Sequence, residues 1–306
     1  MFEGSEKIID VSLQAGARGL RERPLVFWQT LVASCGAEIL SVEHHDTCIA
    51  FILSESSLFV WDHRVRMLTC GETSLSPCLI KLIETLGQSQ VAVASYQRKN
   101  EYRYQASLAS FDQELSLLRQ VIDGKGYRVG HIDSHHHYLF LAYGDNHHGA
   151  APATYELLMH HLDADVTERL RQSSITKLQV RTLLNFQTLL PEFTLDDHLF
   201  TPFGYSVNGV YQQEYFTVHI TPQVNHSYVS FETNIMSPQK LKQLTAAMLS
   251  LFKPESWDVI AVNQQPVEHH VAEASHSTCS IVSEQHDTVQ FNHYQRNDIR
   301  LCCETL

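Results

Sequence analysis

With 306 residues, 43% of them hydrophobic and 18% charged, the chain can bury a substantial core in one large domain or two moderate ones, and general disorder is not expected. A formal charge of −12 argues against a nucleic-acid surface and suits a cationic ligand. No apolar run approaches a membrane span, and MFEGSEKIID carries acidic residues where an export signal would be basic, so a cytoplasmic protein is expected.

In chain order, runs rich in β-branched and aromatic residues predict strands at AEILSV (37–42), TCIAFIL (47–53), SLFVWD (57–62), RMLTC (66–70) and QVAVASY (90–96). Further runs lie at HYLFLAY (137–143), EYFTVHI (214–220) and YVSFET (228–233), several with the period of two that suits antiparallel sheets covered on one face. Helical spacing predicts helices over 76–86, 111–122, 153–162 and 238–252. Helices that follow groups of strands favour an α+β fold over a doubly wound parallel sheet. Gly149 to Pro152 has the turn composition of a boundary between two halves, about 1–150 and 151–306, without an exact internal sequence repeat. Neither G-x-G-x-x-G nor a Walker loop is present, which removes the common phosphate cradles.

Seven cysteines, odd in number and without C-x-x-C spacing, suggest reduced thiols and no disulfide framework or zinc knuckle. Nineteen histidines include the clusters His44-His45, His135-His136-His137, His147-His148, His160-His161 and His269-His270, but no H-E-x-x-H. Adjacent histidines on a strand point to opposite faces, so surface or loop positions are expected and a metal site is not.

The segment LSESSLFV, Leu53–Val60, is harder to read as an ordinary connection. Two apolar runs are joined there through Ser54, Glu55, Ser56 and Ser57, with none of the Gly, Asn, Asp or Pro that a tight turn normally uses. LSESSLFV is followed by LTCG (68–71), FTPFGYSVNG (200–209), VHITP (218–222) and SYVSFETN (227–234), and preceded by FEGSEK (2–7). Together these motifs resemble, in order, those of the eukaryotic-type S-adenosylmethionine decarboxylase proenzymes, with weaker similarity continuing to FNHY near Phe291.

The resemblance implies a four-layer αββα sandwich: two facing antiparallel sheets flanked by helices, built from two similar halves in a single domain. It implies self-cleavage of the Glu55–Ser56 bond into a β chain (1–55) and an α chain (56–306). Ser56 Oγ would attack the Glu55 carbonyl, converting amide to ester. β-Elimination and hydrolysis would then leave a pyruvoyl group in place of Ser56, a covalent, self-generated cofactor. A turn without glycine could store strain where the acyl shift occurs.

By motif match, His219 would be the base for elimination, Ser206 would assist the acyl shift, and Cys70 would donate a proton to the former α-carbon. Phe2 and Phe200 would sandwich the adenine and attract the sulfonium. Leu53, Glu55 and Ser57 would help to read the substrate, and Glu3 and Glu6 would influence activity and processing. Taken singly, each has a plainer meaning: a strand histidine bonded to a carbonyl, a hydroxyl near an Asn208-Gly209 turn, a packed thiol, apolar anchors. Gln223 stands where the family has a glutamate that grips the ribose hydroxyls, which should weaken those hydrogen bonds.

The implied reaction is decarboxylation of S-adenosylmethionine, giving the aminopropyl donor for spermidine and spermine. Two alternatives are a catalytically silent paralog that activates a partner decarboxylase, and a pyruvoyl decarboxylase of another amino acid. All four of Ser56, Cys70, Ser206 and His219 are present, against the first; Gln223 alone encourages the second. The resemblance leaves a homodimer of processed αβ units open. Animal members respond to putrescine, and Glu156, Glu232, Asp10 and Arg98 keep acids and a cation of that site. Pro152, Leu68 and Ser95 replace the expected aspartate, lysine and aromatic residue, so activation by putrescine is not expected.

Overall fold

A computed structural model describes residues 6–54, 56–71, 73–99, 109–131, 135–144, 149–224, 226–267 and 274–297. The first sheet is made by β1 (Lys7–Leu13), β2 (Ile39–His44), β3 (Cys48–Leu53), β4 (Ser56–Trp61), β5 (Arg64–Thr69), β6 (Val91–Lys99), β7 (Gly124–Gly130) and β8 (His136–Tyr143). The second contains β9 (Thr154–His160), β10 (Thr194–Leu199), β11 (Tyr205–Tyr211), β12 (Glu214–Thr221), β13 (Tyr228–Thr233), β14 (Ser256–Val262), β15 (Ala274–Val282) and β16 (Thr288–Arg296).

Their spatial orders are β2-β3-β4-β5-β1-β6-β8-β7 and β10-β11-β12-β13-β9-β14-β16-β15. Each strand of the second sheet occupies the place of the strand eight earlier in the first, so the halves share one topology without sharing a sequence. The boundary expected at Gly149–Pro152 falls in the connection from β8 to β9.

Alternation along the strands produces the layers. In β3, Ile49, Phe51 and Leu53 enter a core with the helices of their own half, whereas Cys48 and Ala50 join a cluster with Val210 and Tyr215 of the opposite sheet. Leu139, Leu141, Leu158 and Ile260 make a second apolar contact between the sheets. Helices α1 (Leu25–Ala33), α2 (Leu75–Leu86) and α3 (Phe111–Leu118) cover the first half; α4 (Ala164–Leu170), α5 (Lys177–Leu184), α6 (Phe186–Leu189) and α7 (Pro238–Phe252) belong to the second. α2 buries Leu75, Cys78, Leu79, Leu82 and Ile83, one helical stripe, and ends at Gly87 with φ 89°. α7 starts where Ser237 Oγ accepts from the Lys240 amide and Pro238 takes the first turn. None of the helices among the described residues is long and apolar enough to cross a membrane.

Three expectations are corrected. Residues 154–160, inside the helix expected over 153–162, form β9, with all seven residues buried. A strand covered on both faces loses its alternation and reads as a continuous apolar run, which mimics a buried helix. Asn208-Gly209 is not a turn but lies within β11, where Gly209 leaves room for the Phe216 ring; a Cβ there would come within 2.1 Å of Phe216 Cε1. His137 and His160, from two of the histidine clusters, are buried between the sheets, not displayed on loops.

Candidate active site

The β3–β4 hairpin pairs Leu53 with Ser56, so only two residues join the strands. Such connections normally place glycine or asparagine at positive φ. Here Ser56, the first residue of β4, has φ 154°, a region that side-chain-bearing residues rarely adopt. The Ser56 hydroxyl is buried and has no hydrogen-bond partner among the described residues. Thr69 is its neighbour on β5, and Cys70 follows directly.

Facing this edge from the second sheet, β11 and β12 pair Ser206 with His219. The two side chains meet at 2.8 Å, Ser206 Oγ to His219 Nδ1. The other imidazole nitrogen, Nε2, lies 2.8 Å from Thr217 Oγ1 and 3.4 Å from Ser57 Oγ. Burial in this interior pushes the His219 pKa down to about 3, so the ring is neutral across the physiological range. Ser57 and Thr217 both donate to Asn208 Oδ1, at 2.6 and 2.9 Å, tying the strand that begins at Ser56 to the sheet that carries His219.

Ser56, Cys70, Ser206 and His219 line a single cavity of 580 Å³ together with Phe200 and Gln223. Four short segments from both halves of the chain therefore converge on one space. Phe200 is held by its amide donating to the Gly204 carbonyl at 2.9 Å, across a loop that Gly204 turns at φ 130°. The end of β5 is pinned by Lys7 Nζ, which donates to the Gly71 carbonyl at 2.9 Å.

Glu6 stands close by. Tyr228 donates to its Oε2 at 2.7 Å, while Oε1 has no partner among the described residues. Burial, reinforced by Glu232, raises the Glu6 pKa to about 7. Tyr228 is within electrostatic reach of Cys70 as well, so Glu6 and Cys70 share a neighbour.

Other expected residues contribute differently. Leu53 is fully buried, and its side chain packs into the helical core, leaving its backbone as its route to the cavity. Phe2, Glu3 and Glu55 lie outside the described residues. Sequence reading did not single out Asn208, Thr217, Arg171 or Phe203. Arg171 and Phe203 line the cavity mouth, with the guanidinium 5.1 Å from the ring centroid. Asn208 and Thr217 sit two residues from Ser206 and His219, and the period of a strand alone puts them on the same face.

A second polar cluster crosses the sandwich beside this site. Arg66 on β5 is almost wholly buried and pairs with Asp10 Oδ2 at 2.8 Å, Glu232 Oε2 at 2.6 Å and Glu156 Oε1 at 3.1 Å. Arg64 adds a bond to Asp10 at 2.6 Å. Burial acts to raise the Asp10 pKa, but the two guanidinium groups outweigh it and hold the carboxyl below its usual range. Glu156 goes the other way: burial and the adjacent Glu232 push its pKa well up. The void between Asp10, Arg66, Ser95 and Pro152 measures about 10 Å³, room for one water. Arg98 does not join this group; its guanidinium donates to Glu114 of α3 at 2.8 Å.

Further along the interface, Asp258 is ion-paired with Lys99 and accepts from His293 Nδ1 at 2.7 Å, with His135 and His160 near the same carboxylate. His135, Asp258 and His293 offer ligand atoms within 4.8 Å of one another. The Lys99 ammonium already supplies the positive charge at that carboxylate.

The adenosylmethionine decarboxylase family model matches residues 1–304. The S-adenosylmethionine decarboxylase proenzyme of Xenopus laevis is 33% identical over 285 residues, covering 86% of this chain and 84% of the relative. That of Drosophila melanogaster is 30% identical over 327 aligned positions, 98% of this chain and 91% of the relative. The Dictyostelium discoideum proenzyme is 31% identical over 274 residues, 83% and 72%. Among solved structures, the Trypanosoma brucei AdoMetDC-delta26 monomer superposes with a TM-score of 0.61 at 25% identity, covering 78% of this chain and 98% of that one. A family match over almost the whole chain, joined to two eight-stranded sheets that bring Ser56, Cys70, Ser206 and His219 to one cavity, shows that the chain belongs to the adenosylmethionine decarboxylase family.

Proposed function

We propose that this chain is a self-processing, pyruvoyl-dependent decarboxylase of S-adenosylmethionine that supplies the aminopropyl donor for spermidine and spermine. The observation that carries the reading is the buried Ser56 hydroxyl, without a hydrogen-bond partner among the described residues, in a cavity that also holds Cys70, Ser206 and His219. A hydroxyl without a hydrogen-bond partner is free to attack, and a constrained φ at the same residue favours a change in its backbone bond.

Ser56 Oγ attacks the Glu55 carbonyl, and the acyl group passes from nitrogen to oxygen. Ser206, on the facing sheet, supplies a hydroxyl for the oxyanion. His219, neutral at physiological pH, removes the α-proton of residue 56, and the ester C–O bond breaks to free the Glu55 carboxylate and leave dehydroalanine, whose imine tautomer water hydrolyses to the pyruvoyl group with release of ammonia. Ser56 fits a group made in place, because its side chain already projects into the reaction space. The pyruvoyl group would supply an electrophilic keto carbonyl for the substrate amine, with the adjacent amide carbonyl as the sink for the electrons left by departing carbon dioxide. Cys70 returns a proton to the former α-carbon. Phe200 offers an aromatic face to the adenine, with Phe2 as its expected counterpart. Gln223 meets the ribose without charge. Glu6, poised near neutrality by burial, tunes proton supply around Cys70 through Tyr228.

The enzyme works without putrescine. The support is the cluster in which Arg66 pairs with Asp10, Glu156 and Glu232 and Arg64 pairs with Asp10, and the void beside it, which is too small for a diamine. The chain acts in the cytoplasm as processed αβ units.

The test is the mass of the purified protein. Cleavage before Ser56 converts the 34.9 kDa chain into residues 1–55 and 56–306, fragments of about 6 and 29 kDa, the larger blocked to Edman chemistry. Ser56→Ala stays whole and inactive. A wild-type chain that remains full-length after prolonged incubation at neutral pH overturns the self-processing reading.

A further inference from the structure

We propose that Asn208 and Thr217 are positioning residues that hold His219 in the tautomer protonated on Nε2, making Nδ1 the basic atom offered to Ser206 and the cavity. The Asn208 side-chain amide is oriented by Nδ2, which donates to the Phe51 carbonyl at 3.0 Å. Reversing it would set two carbonyl oxygens against each other, so Oδ1 must face the interior. There it accepts from Ser57 Oγ at 2.6 Å and from Thr217 Oγ1 at 2.9 Å.

A hydroxyl has one hydrogen. With both hydrogens committed to Asn208, Ser57 and Thr217 present only lone pairs to His219 Nε2, at 3.4 and 2.8 Å. The contact with Thr217 is a hydrogen bond only if Nε2 is the donor. A neutral imidazole carries one N–H, so Nδ1 has a lone pair and accepts from Ser206 Oγ at 2.8 Å. The opposite tautomer would bring two lone pairs together at Thr217 in a fully buried site, an unsatisfied contact of the expensive kind.

This arrangement sets an order of events, and it rests on the reading of His219 as the base of self-processing. Ser206 cannot give its hydrogen to Nδ1 and to an oxyanion at once. When the acyl shift develops negative charge, rotation of the Ser206 hydroxyl toward it uncovers the Nδ1 lone pair. Nδ1 then takes the α-proton of residue 56 as the ester C–O bond breaks, with the electron pair of the C–H bond forming the new C=C bond. The imidazolium that results keeps its Nε2–H on Thr217. Asn208 and Thr217 touch no reacting atom; they act by orienting the ring, and Ser57 joins that support to the strand being cleaved.

The tautomer is read by nitrogen NMR of ring-15N-histidine-labelled Ser56→Ala protein, in which the site stays uncleaved. The His219 signals are identified by their loss in a Ser56→Ala/His219→Ala chain. A pyridine-like shift at Nδ1 with a pyrrole-like shift at Nε2 supports the assignment; the reverse pattern overturns it. In the wild-type background, Thr217→Val slows loss of the full-length chain by about tenfold or more, and Thr217→Ser restores the rate to within about threefold; a wrong imidazole tautomer costs about 10⁴ in a comparable general-base site. A folded Thr217→Val chain that processes at the wild-type rate overturns the proposal. If Thr217→Val does not fold, the NMR measurement, made with Thr217 in place, decides. Normal processing by His219→Ala removes the base reading while leaving the tautomer measurement to stand on its own.

Discussion

His219 and Cys70 line one cavity, and in the proposed mechanism they serve different bonds, so single substitutions should separate the two chemistries. His219→Ala removes the proposed base of the elimination, so the chain should stall as an ester at residue 56, which hydroxylamine then cleaves. Cys70→Ala should still process, while decarboxylation falls about a hundredfold or more, the usual worth of a positioned general acid. Normal processing by His219→Ala, or unimpaired turnover by Cys70→Ala, would reverse these assignments. Glu6 makes a separate prediction about pH. Its folded pKa, about 7, lies above the unfolded value of 4.5, so its stabilising contribution is complete below pH 4.5 and disappears as pH rises through 7. Glu6→Gln, which cannot ionise, should gain stability relative to wild type at alkaline pH, on the order of 3 kcal/mol, and lose that advantage below pH 5. Thermal melts of both proteins from pH 5 to pH 9 check this, and parallel curves would exclude Glu6 as the titrating group.

Strand β11 shows how one element carries both packing and chemistry. Its outer face places Tyr205 and Val207 in the helical core, while Ser206 and Asn208 face the opposite sheet. Gly209 accommodates the Phe216 ring from the neighbouring strand, three residues before His219. Gly209→Ala should therefore cost about 1–3 kcal/mol through overpacking, because a ring wedged in a sheet cannot swing away as a flexible tip would. Chemical denaturation measures the loss, and a fall below half a kcal/mol would show that Phe216 relaxes freely. The misreading of β9 belongs to the same scale. TYELLMH has Glu156 among apolar residues, and only the partner strands β13 and β14 on either side, with Arg66 from the facing sheet, make an extended, fully buried carboxylate intelligible.

The interface between the sheets is partly apolar and partly ionic. Putrescine titrated into the millimolar range should change neither processing nor decarboxylation, since Arg66 already holds the place of an interior cation; saturable stimulation of either rate would show a diamine site. Arg66→Ala leaves Asp10, Glu156 and Glu232 without their shared partner and should cost about 3–5 kcal/mol, measured by urea denaturation. The buried histidines act on the acid side. Burial lowers His137 and His219 to about 3 and His160 to about 4 from the ordinary 6.5. They fold neutral, so the stability they permit is present above pH 6.5 and is lost as pH falls from there toward 3.

The family, the α+β class and most strands whose two faces differ were legible in the sequence. Those features are local: a serine pair between apolar runs, a period of two, motifs in a fixed order. Only the tertiary structure decided that residues 154–160 are a strand, that histidines far apart in the chain meet at Asp258, and that Arg66 fills the interior between three carboxylates. Each depends on which side chains from the other half lie opposite, across contacts separated by many tens of residues. The tautomer of His219 belongs there too, because it is fixed by Asn208 and Thr217 through a hydroxyl whose single hydrogen is spent elsewhere. A sequence states which groups a residue carries; the facing sheet states which of their hydrogens remain available.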